Sequence, residues 1–303
     1  MANMAKKHSK DPLAEYMIQK IAAQAEKESR KLLKYISAIY RVDAAANPEQ
    51  FGTGVFLNVG DHYFLVTAAH VLDDNDDSTL YIPSNKSGDL VSLEGASFKS
   101  VADGGDRNDD RTDVGVVVLK SDLADEIGRD SFLSVALTDV DDIGKQGDIY
   151  IAMGYPAKKN EKVNLAKKTF KRRPACYTAN ILPDAKLAEI GVHRGSHLLL
   201  GFKKRHSRDT TGRDITAPDP YGMSGGPLWR FDIYTDQKPA SRLVGILIEW
   251  RDEIAGILAV RMPIVLAGIA HQYPKLAGSI PKTTTVSVTV IMPASPPPSE
   301  PYS

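Results

Sequence analysis

Along residues 11–40 the apolar side chains Leu13, Met17, Ile21, Ala22, Leu32, Leu33 and Ile36 return at helical intervals, around a polar stretch at Glu26–Lys31. This predicts a helix from Asp11 to about Tyr40, with Asp11 as N-cap and Pro12 at the first helical position. A helix of that length needs a surface to pack on. Its own β domain is the simpler expectation; a partner protein or a second copy is the sharper one. From about Ala45 to Pro281 the pattern changes to short β-branched and aromatic runs bounded by Gly, Asp, Asn or Pro: Gly54–Val59, Tyr63–Thr67, Val114–Leu119, Asp148–Met153, Leu198–Phe202, Leu243–Ile248 and Gly256–Met262. Long helices between them are missing, which argues against a parallel α/β sheet and for an all-β barrel or sandwich. Residues 263–276 open with Pro263 and read as a short closing helix; residues 282–303 end in a Pro-rich stretch expected to be disordered.

Composition narrows the function classes. The chain has 303 residues, 42% hydrophobic and 25% charged, which supplies a sizeable core. Lys+Arg and Asp+Glu both number 38, so no general nucleic-acid role is supported. No apolar run reaches the ~18–20 residues of a membrane helix. The single cysteine, Cys176, leaves no internal disulfide framework and no cysteine-based zinc cluster. His62, His193, His197 and His206 do not place three ligands on one short element, so no metal site is expected. The N-terminal stretch lacks the apolar segment of a secretory leader, and a cytoplasmic protein is expected.

The strongest chemical signal is Gly222-Met223-Ser224-Gly225-Gly226-Pro227-Leu228. A nucleophilic serine needs backbone N–H donors aimed at a developing oxyanion, and flanking glycines allow the turn that presents them. Serine also needs a general base. His70 closes the run Val66-Thr67-Ala68-Ala69-His70, and Asp113 stands at the mouth of the apolar run Val114–Leu119. An aspartate entering a buried strand is costly unless paired, and a histidine N–H suits it. Asp109 and Asp110 are its rivals, but only Asp113 directly precedes the apolar run.

GTGVFL, LVTAAHVL, DVGVVVL and GMSGGPL together resemble the trypsin-like, chymotrypsin-fold serine endopeptidases, over about residues 48–270. The order His70, Asp113, Ser224 matches that family's order. The resemblance implies two six-stranded antiparallel β-barrels: residues 45–135 carrying His70 and Asp113, and residues 136–281 carrying Ser224 and a specificity pocket. Residues 1–44 form a tail and helix, and residues 282–303 a tail. It further implies Ser224 as nucleophile, His70 as general base and acid, Asp113 as the group orienting His70, and the Gly222 and Ser224 N–H groups as an oxyanion hole. No cofactor is implied. Gly245–Trp250 resembles the strand that pairs with the substrate backbone and walls the pocket.

Two departures from the family pattern bear on regulation and specificity. Met223 stands where secreted digestive members have the aspartate that binds a newly cut N-terminus, so activation by such a cut is not expected. Pro218 stands six residues before the serine, at the pocket floor, with Asp219 beside it and Glu249 on the wall strand. Either carboxylate would favour Lys or Arg at the cut site; Trp250 would instead narrow the pocket. Asp73, Asp74, Asp76 and Asp77 would attract basic substrates. Residues 158–173 hold eight basic residues against one acid, and with Lys203, Lys204, Arg205 and Arg208 read as a solvated basic face or as a contact for an anionic partner.

The α/β-hydrolase elbow is the competing enzyme reading, but it requires a later Asp then His, and His271 is the only histidine after Ser224. A protease-fold binding or scaffold protein with little activity is the non-enzymatic alternative. Leaderless, cysteine-poor members of the family resemble bacterial or phage-borne enzymes. On that resemblance the expectation is limited proteolysis of one protein target, with a regulatory partner on the N-terminal helix.

Overall fold

The computed structural model of the chain describes residues 12–42, 47–77, 79–84, 86–102, 105–145, 147–160, 163–164, 169–170, 173–208, 214–231 and 241–284. Helix α1 spans Pro12–Leu32. Pro12 opens it, where a missing N–H costs nothing; the expected cap, Asp11, lies outside the described residues. The helix is shorter than its periodicity predicts. A single 3₁₀ turn follows Leu32, and Ile36–Val42 is strand β1. The misreading has a physical cause: β1 lies inside its sheet and buries both faces. Ile36, Ala38 and Tyr40 enter one core and Ile39 another, so the segment shows no polar alternation. The later half of α1 buries Ala25, Glu28, Ser29 and Leu32, and α1 packs against the second sheet. Its earlier half leaves Tyr16, Met17 and Ile18 exposed.

The first sheet is built from β1, β2 (Pro48–Val59), β3 (His62–Ala68), β4 (Tyr81–Pro83), β5 (Leu90–Ser92), β6 (Ser97–Lys99), β7 (Val114–Leu119) and β8 (Leu133–Ser134). Its order is β5-β4-β1-β2-β3-β7-β6, antiparallel throughout, while β8 adds to β2 in parallel. The second sheet contains β9 (Ile149–Gly154), then, after the two-residue pair β10 (Val163–Asn164) and β11 (Thr169–Phe170), β12 (Ala175–Ala179) and β13 (His197–Gly201). A second small pair, β14 (Ser207–Arg208) and β15 (Asp214–Ile215), precedes β16 (Pro227–Phe231), β17 (Arg242–Arg251) and β18 (Gly256–Arg261). The order is β12-β9-β16-β17-β18-β13. These two curled antiparallel sheets form the expected chymotrypsin-like fold, the first carrying eight strands rather than six.

Helix α2 (Ala69–Asp77) follows β3 without a break, and α3 (Ser121–Ile127), α4 (Ala157–Asn160) and α5 (Asp184–Glu189) are short connectors. Helix α6 (Met262–Gln272) closes the fold as the sequence predicts. Period-two alternation distributes the strand side chains between cores. Phe64 and Val66 of β3, with Ile151 and Met153 of β9, join one core shared by the two sheets. Leu65 belongs to a core private to the first sheet, and Tyr150 and Ala152 to one private to the second. Each such fully buried apolar side chain stabilises the fold by about 1.5–3 kcal/mol. The shared core holds the two sheets together, and His70 and Ser224 lie at their junction. Among the described residues no helix is long and apolar enough to cross a membrane.

Candidate active site

His70 is the second residue of α2, where the chain turns from β3 into the helix. The first N–H groups of a helix have no partners within it. Asp113 supplies them: its backbone carbonyl accepts from Ala69 N–H at 3.0 Å and its Oδ1 accepts from His70 N–H at 2.9 Å. Its second oxygen, Oδ2, lies 2.6 Å from His70 Nδ1. A carboxylate here only accepts, so the ring proton sits on Nδ1 and Nε2 keeps its lone pair. Burial alone would lower the His70 pKa; the hydrogen bond and charge of Asp113 outweigh it and hold the value above 6.5.

Asp113 makes these contacts from a left-handed backbone, φ 44°. Aspartate tolerates this region better than most residues, yet the conformation is strained and needs support. The preceding loop provides some. Asp110 Oδ1 accepts from Thr112 N–H at 3.0 Å and its Oδ2 from Ser100 Oγ–H at 2.6 Å. Asp110 is thus a builder of the loop rather than a rival to Asp113. Arg107 bridges Asp110 and Asp73. Asp73 also pairs with Lys99 at 2.8 Å, so it is not the free anion expected of the acidic run. The side chains of Asp74, Asp76 and Asp77 lie outside the described residues.

Ser224 sits in a tight loop between the sheets. Met223 N–H donates to the Pro220 carbonyl and Gly226 N–H to that of Met223. Gly225 N–H reaches the Leu247 carbonyl, whose own N–H returns to the Gly226 carbonyl. Glycine is required at 225. Its φ is 85°, and a Cβ there would lie 2.0 Å from the Thr53 carbonyl oxygen and 2.1 Å from Thr67 Oγ1. Gly222, φ 90°, is similarly placed against Gln50 and Tyr155.

Thr53 of β2 fastens this loop to the first sheet twice and ties Tyr155, just after β9, to the same point. Its N–H donates to the Ser224 carbonyl at 2.9 Å, its hydroxyl donates to the Gly222 carbonyl at 2.8 Å, and the same hydroxyl accepts from Tyr155 N–H at 3.0 Å. Among the described residues the N–H groups of Gly222 and Ser224 meet no acceptor, and Ser224 Oγ is in no hydrogen bond, His70 included. Met223 is buried against Gly154.

Ser224 and His70 line one cavity of about 300 Å³, with Asp219, Pro220, Tyr221, Met223, Leu247, Ile248, Glu249, Trp250 and Ile257. On its other side His70 joins Asp113, Ile248 and Glu249 in a cavity of about 230 Å³ that Arg107, Arg111, Ile190, Val192 and Arg251 also line. The pocket departs from the sequence expectation in its charges. Pro218 does not line it; its carbonyl accepts from Tyr177 Oη–H at 3.2 Å. Asp219 does, but its carboxylate lies 3.1 Å from Lys204 Nζ and 3.6 Å from Lys158 Nζ. These lysines hold its pKa below the usual carboxylate value, against the opposing effect of burial. Glu249 is exposed and paired with Arg251 at 2.7 Å. Neither carboxylate is a free anion for a basic side chain. Trp250 contributes bulk, braced edge-on by Phe202 with ring centroids 6.4 Å apart and capped by Lys204 at 5.7 Å.

Of the residues singled out in the sequence, His70, Ser224, Asp219, Ile248, Glu249 and Trp250 line this cavity, as does Leu247 of the expected wall strand, and Asp113 joins His70 in the neighbouring one; Tyr221 and Ile257 in the pocket and Thr53 behind it were not expected there. Thr53 carried a signal, since GTG places it between two small residues at the strand's close approach. The profile described as trypsin-like peptidase domain matches residues 52–233, well over half of the chain. No curated protein matches the sequence.

Proposed function

This chain belongs to the trypsin-like peptidase family, and we propose that it is a serine endopeptidase working through His70, Asp113 and Ser224. The observation that carries the reading is the convergence of His70, already locked to Asp113, with Ser224 on one cavity beside two unengaged N–H donors. In this reading His70 Nε2 takes the Ser224 hydroxyl proton as Oγ attacks a peptide carbonyl. The Gly222 and Ser224 N–H groups hold the oxyanion. Asp113 fixes the Nδ1–H tautomer and stabilises the imidazolium that forms. The imidazolium then protonates the leaving amine, and water, deprotonated by the same ring, resolves the acyl-enzyme. Contact between Ser224 and His70 tightens when substrate is bound.

The peptide lies along the Ile248–Trp250 edge of β17 as an added strand. With both carboxylates paired and Leu247, Ile257 and Trp250 lining the pocket, the favoured residue before the cut is apolar rather than Lys or Arg. The buried Met223 supports an oxyanion loop formed without a cut at the N-terminus. Limited proteolysis of one target belongs to the same proposal; rapid degradation of unrelated denatured proteins would count against it. A fluorophosphonate probe tests the chemistry. It is expected to label Ser224 and to leave Ser224→Ala unlabelled; labelling at another serine, or none, would instead favour a scaffold role.

A further inference from the structure

The strained turn at Asp113 receives a second support, from the opposite sheet. His197 begins β13 and is buried, 3% exposed. Its Nε2 lies 2.7 Å from the carbonyl oxygen of Arg111, two residues before Asp113. Its Nδ1 lies 2.8 Å from Ser196 Oγ. A carbonyl can only accept, so the ring must carry its proton on Nε2. Nδ1 then accepts from the Ser196 hydroxyl, which otherwise reaches the His193 carbonyl at 3.1 Å. The backbone is fixed as well, since His197 pairs with Val260 of β18. The donor therefore stands on a rigid strand, while its acceptor stands on the loop that carries Asp113.

We propose that His197 is a positioning residue for the His70–Asp113 pair: its Nε2–H, reaching across from the second sheet, pins the Arg111 carbonyl and with it the left-handed turn at Asp113. The role rests on the peptidase reading for its effect on catalysis, though not for its effect on the His70 ring. Without the bond, the remaining hydrogen bonds to Arg111–Asp113 among the described residues all come from its own sheet, and Asp113 can leave φ 44°, which separates Oδ2 from Nδ1. By itself the bond to the Arg111 carbonyl favours a charged ring, and Nε2–H donates in either form. Burial pushes its pKa down to about 4, with His193 and Arg111 disfavouring and Asp110 favouring the charge.

The test uses the full chain with His197→Phe, which keeps a ring and removes the donor, and His197→Gln, whose amide N–H can replace Nε2–H. Two readouts are taken: the rate of Ser224 labelling by a fluorophosphonate, and the pKa of His70 followed by NMR of its ring. His197→Phe is expected to slow labelling between about 10- and 100-fold, as a misplaced catalytic group does, and to lower the His70 pKa. His197→Gln is expected to restore most of both. Once a cleaved peptide is known, the loss should fall on kcat rather than KM.

A His197→Phe variant that melts lower yet keeps the wild-type labelling rate and His70 titration would overturn the proposal and leave His197 a packing residue. If the phenylalanine variant does not fold, His197→Met removes the same donor and is measured identically. If the wild type itself does not label, the peptidase reading fails, and the His70 titration still decides the role of His197.

Discussion

Replacing Asp113 by asparagine separates the geometry of this site from its chemistry. The amide keeps an oxygen for the His70 N–H now held at 2.9 Å, and asparagine tolerates a φ of 44° as well as aspartate does. Folding should change little, with a melting temperature within a few degrees of the wild type. At Oδ2, however, an NH₂ now faces Nδ1 across a contact of 2.6 Å. Two donors cannot face each other, so the imidazole moves its proton to Nε2. That nitrogen then has no lone pair for the Ser224 proton. A wrong tautomer in a Ser-His-Asp arrangement costs about 10⁴ in kcat, or about 5 kcal/mol of barrier. The His70 pKa should fall at the same time, because Asp113 is what holds it up against burial. The assay is single-turnover acylation with an activated ester, with His70 titrated by NMR in parallel. An Asp113→Asn enzyme that folds and acylates within about tenfold of the wild type would refute the assignment.

Four further outcomes follow from the same coordinates. Gly225→Ala should destabilise the fold by about 3 kcal/mol or more, from a positive φ and a Cβ driven into Thr53 and Thr67; denaturant unfolding measures it. Thr53→Val should cost about 1–3 kcal/mol by leaving the Tyr155 N–H unpaired and the Gly222 carbonyl to Gln50 alone, and should slow fluorophosphonate labelling as the Ser224 loop loosens. Activity should rise with pH through a midpoint above 6.5, since the raised pKa keeps His70 protonated longer and only its neutral form accepts a proton; a midpoint below 6.5 would contradict the Asp113 contact. His197 acts oppositely on stability. Its folded pKa of about 4 lies below its unfolded value of about 6.5, so its contribution is whole above pH 6.5 and declines as the pH falls toward 4, by about 3 kcal/mol in all; His197→Gln should flatten that decline in urea midpoints.

What the sequence disclosed follows from how locally each feature is encoded. The Gly-rich loop around Ser224 was legible because its glycines stand next to the serine in the chain, although the atoms that exclude a Cβ there, Thr53 and Thr67 among them, come from distant segments. His70 and Asp113 were legible because each adjoins an apolar strand, and the pairing of β3 with β7 brings the two together. The end of α1 was not, because β1 buries both faces, and a run without polar positions fits a helix as well as a strand. Nor were the pocket charges. Asp219 reads as an available anion until the fold brings Lys158 and Lys204 to it. His197 likewise looks like an ordinary strand residue, since its partner, the Arg111 carbonyl, is backbone and leaves no mark in composition.

The threonine at position 53 has a consequence for how the molecule fails. Because one short side chain clasps both the Ser224 loop and Tyr155 to the opposite sheet, the two lobes cannot drift apart while each keeps its own share of the site intact. Parting them would release the serine's turn and strip the histidine of its counterpart in one stroke. Inactivation on heating should therefore coincide with lobe separation, with no window in which a half-opened molecule still cuts.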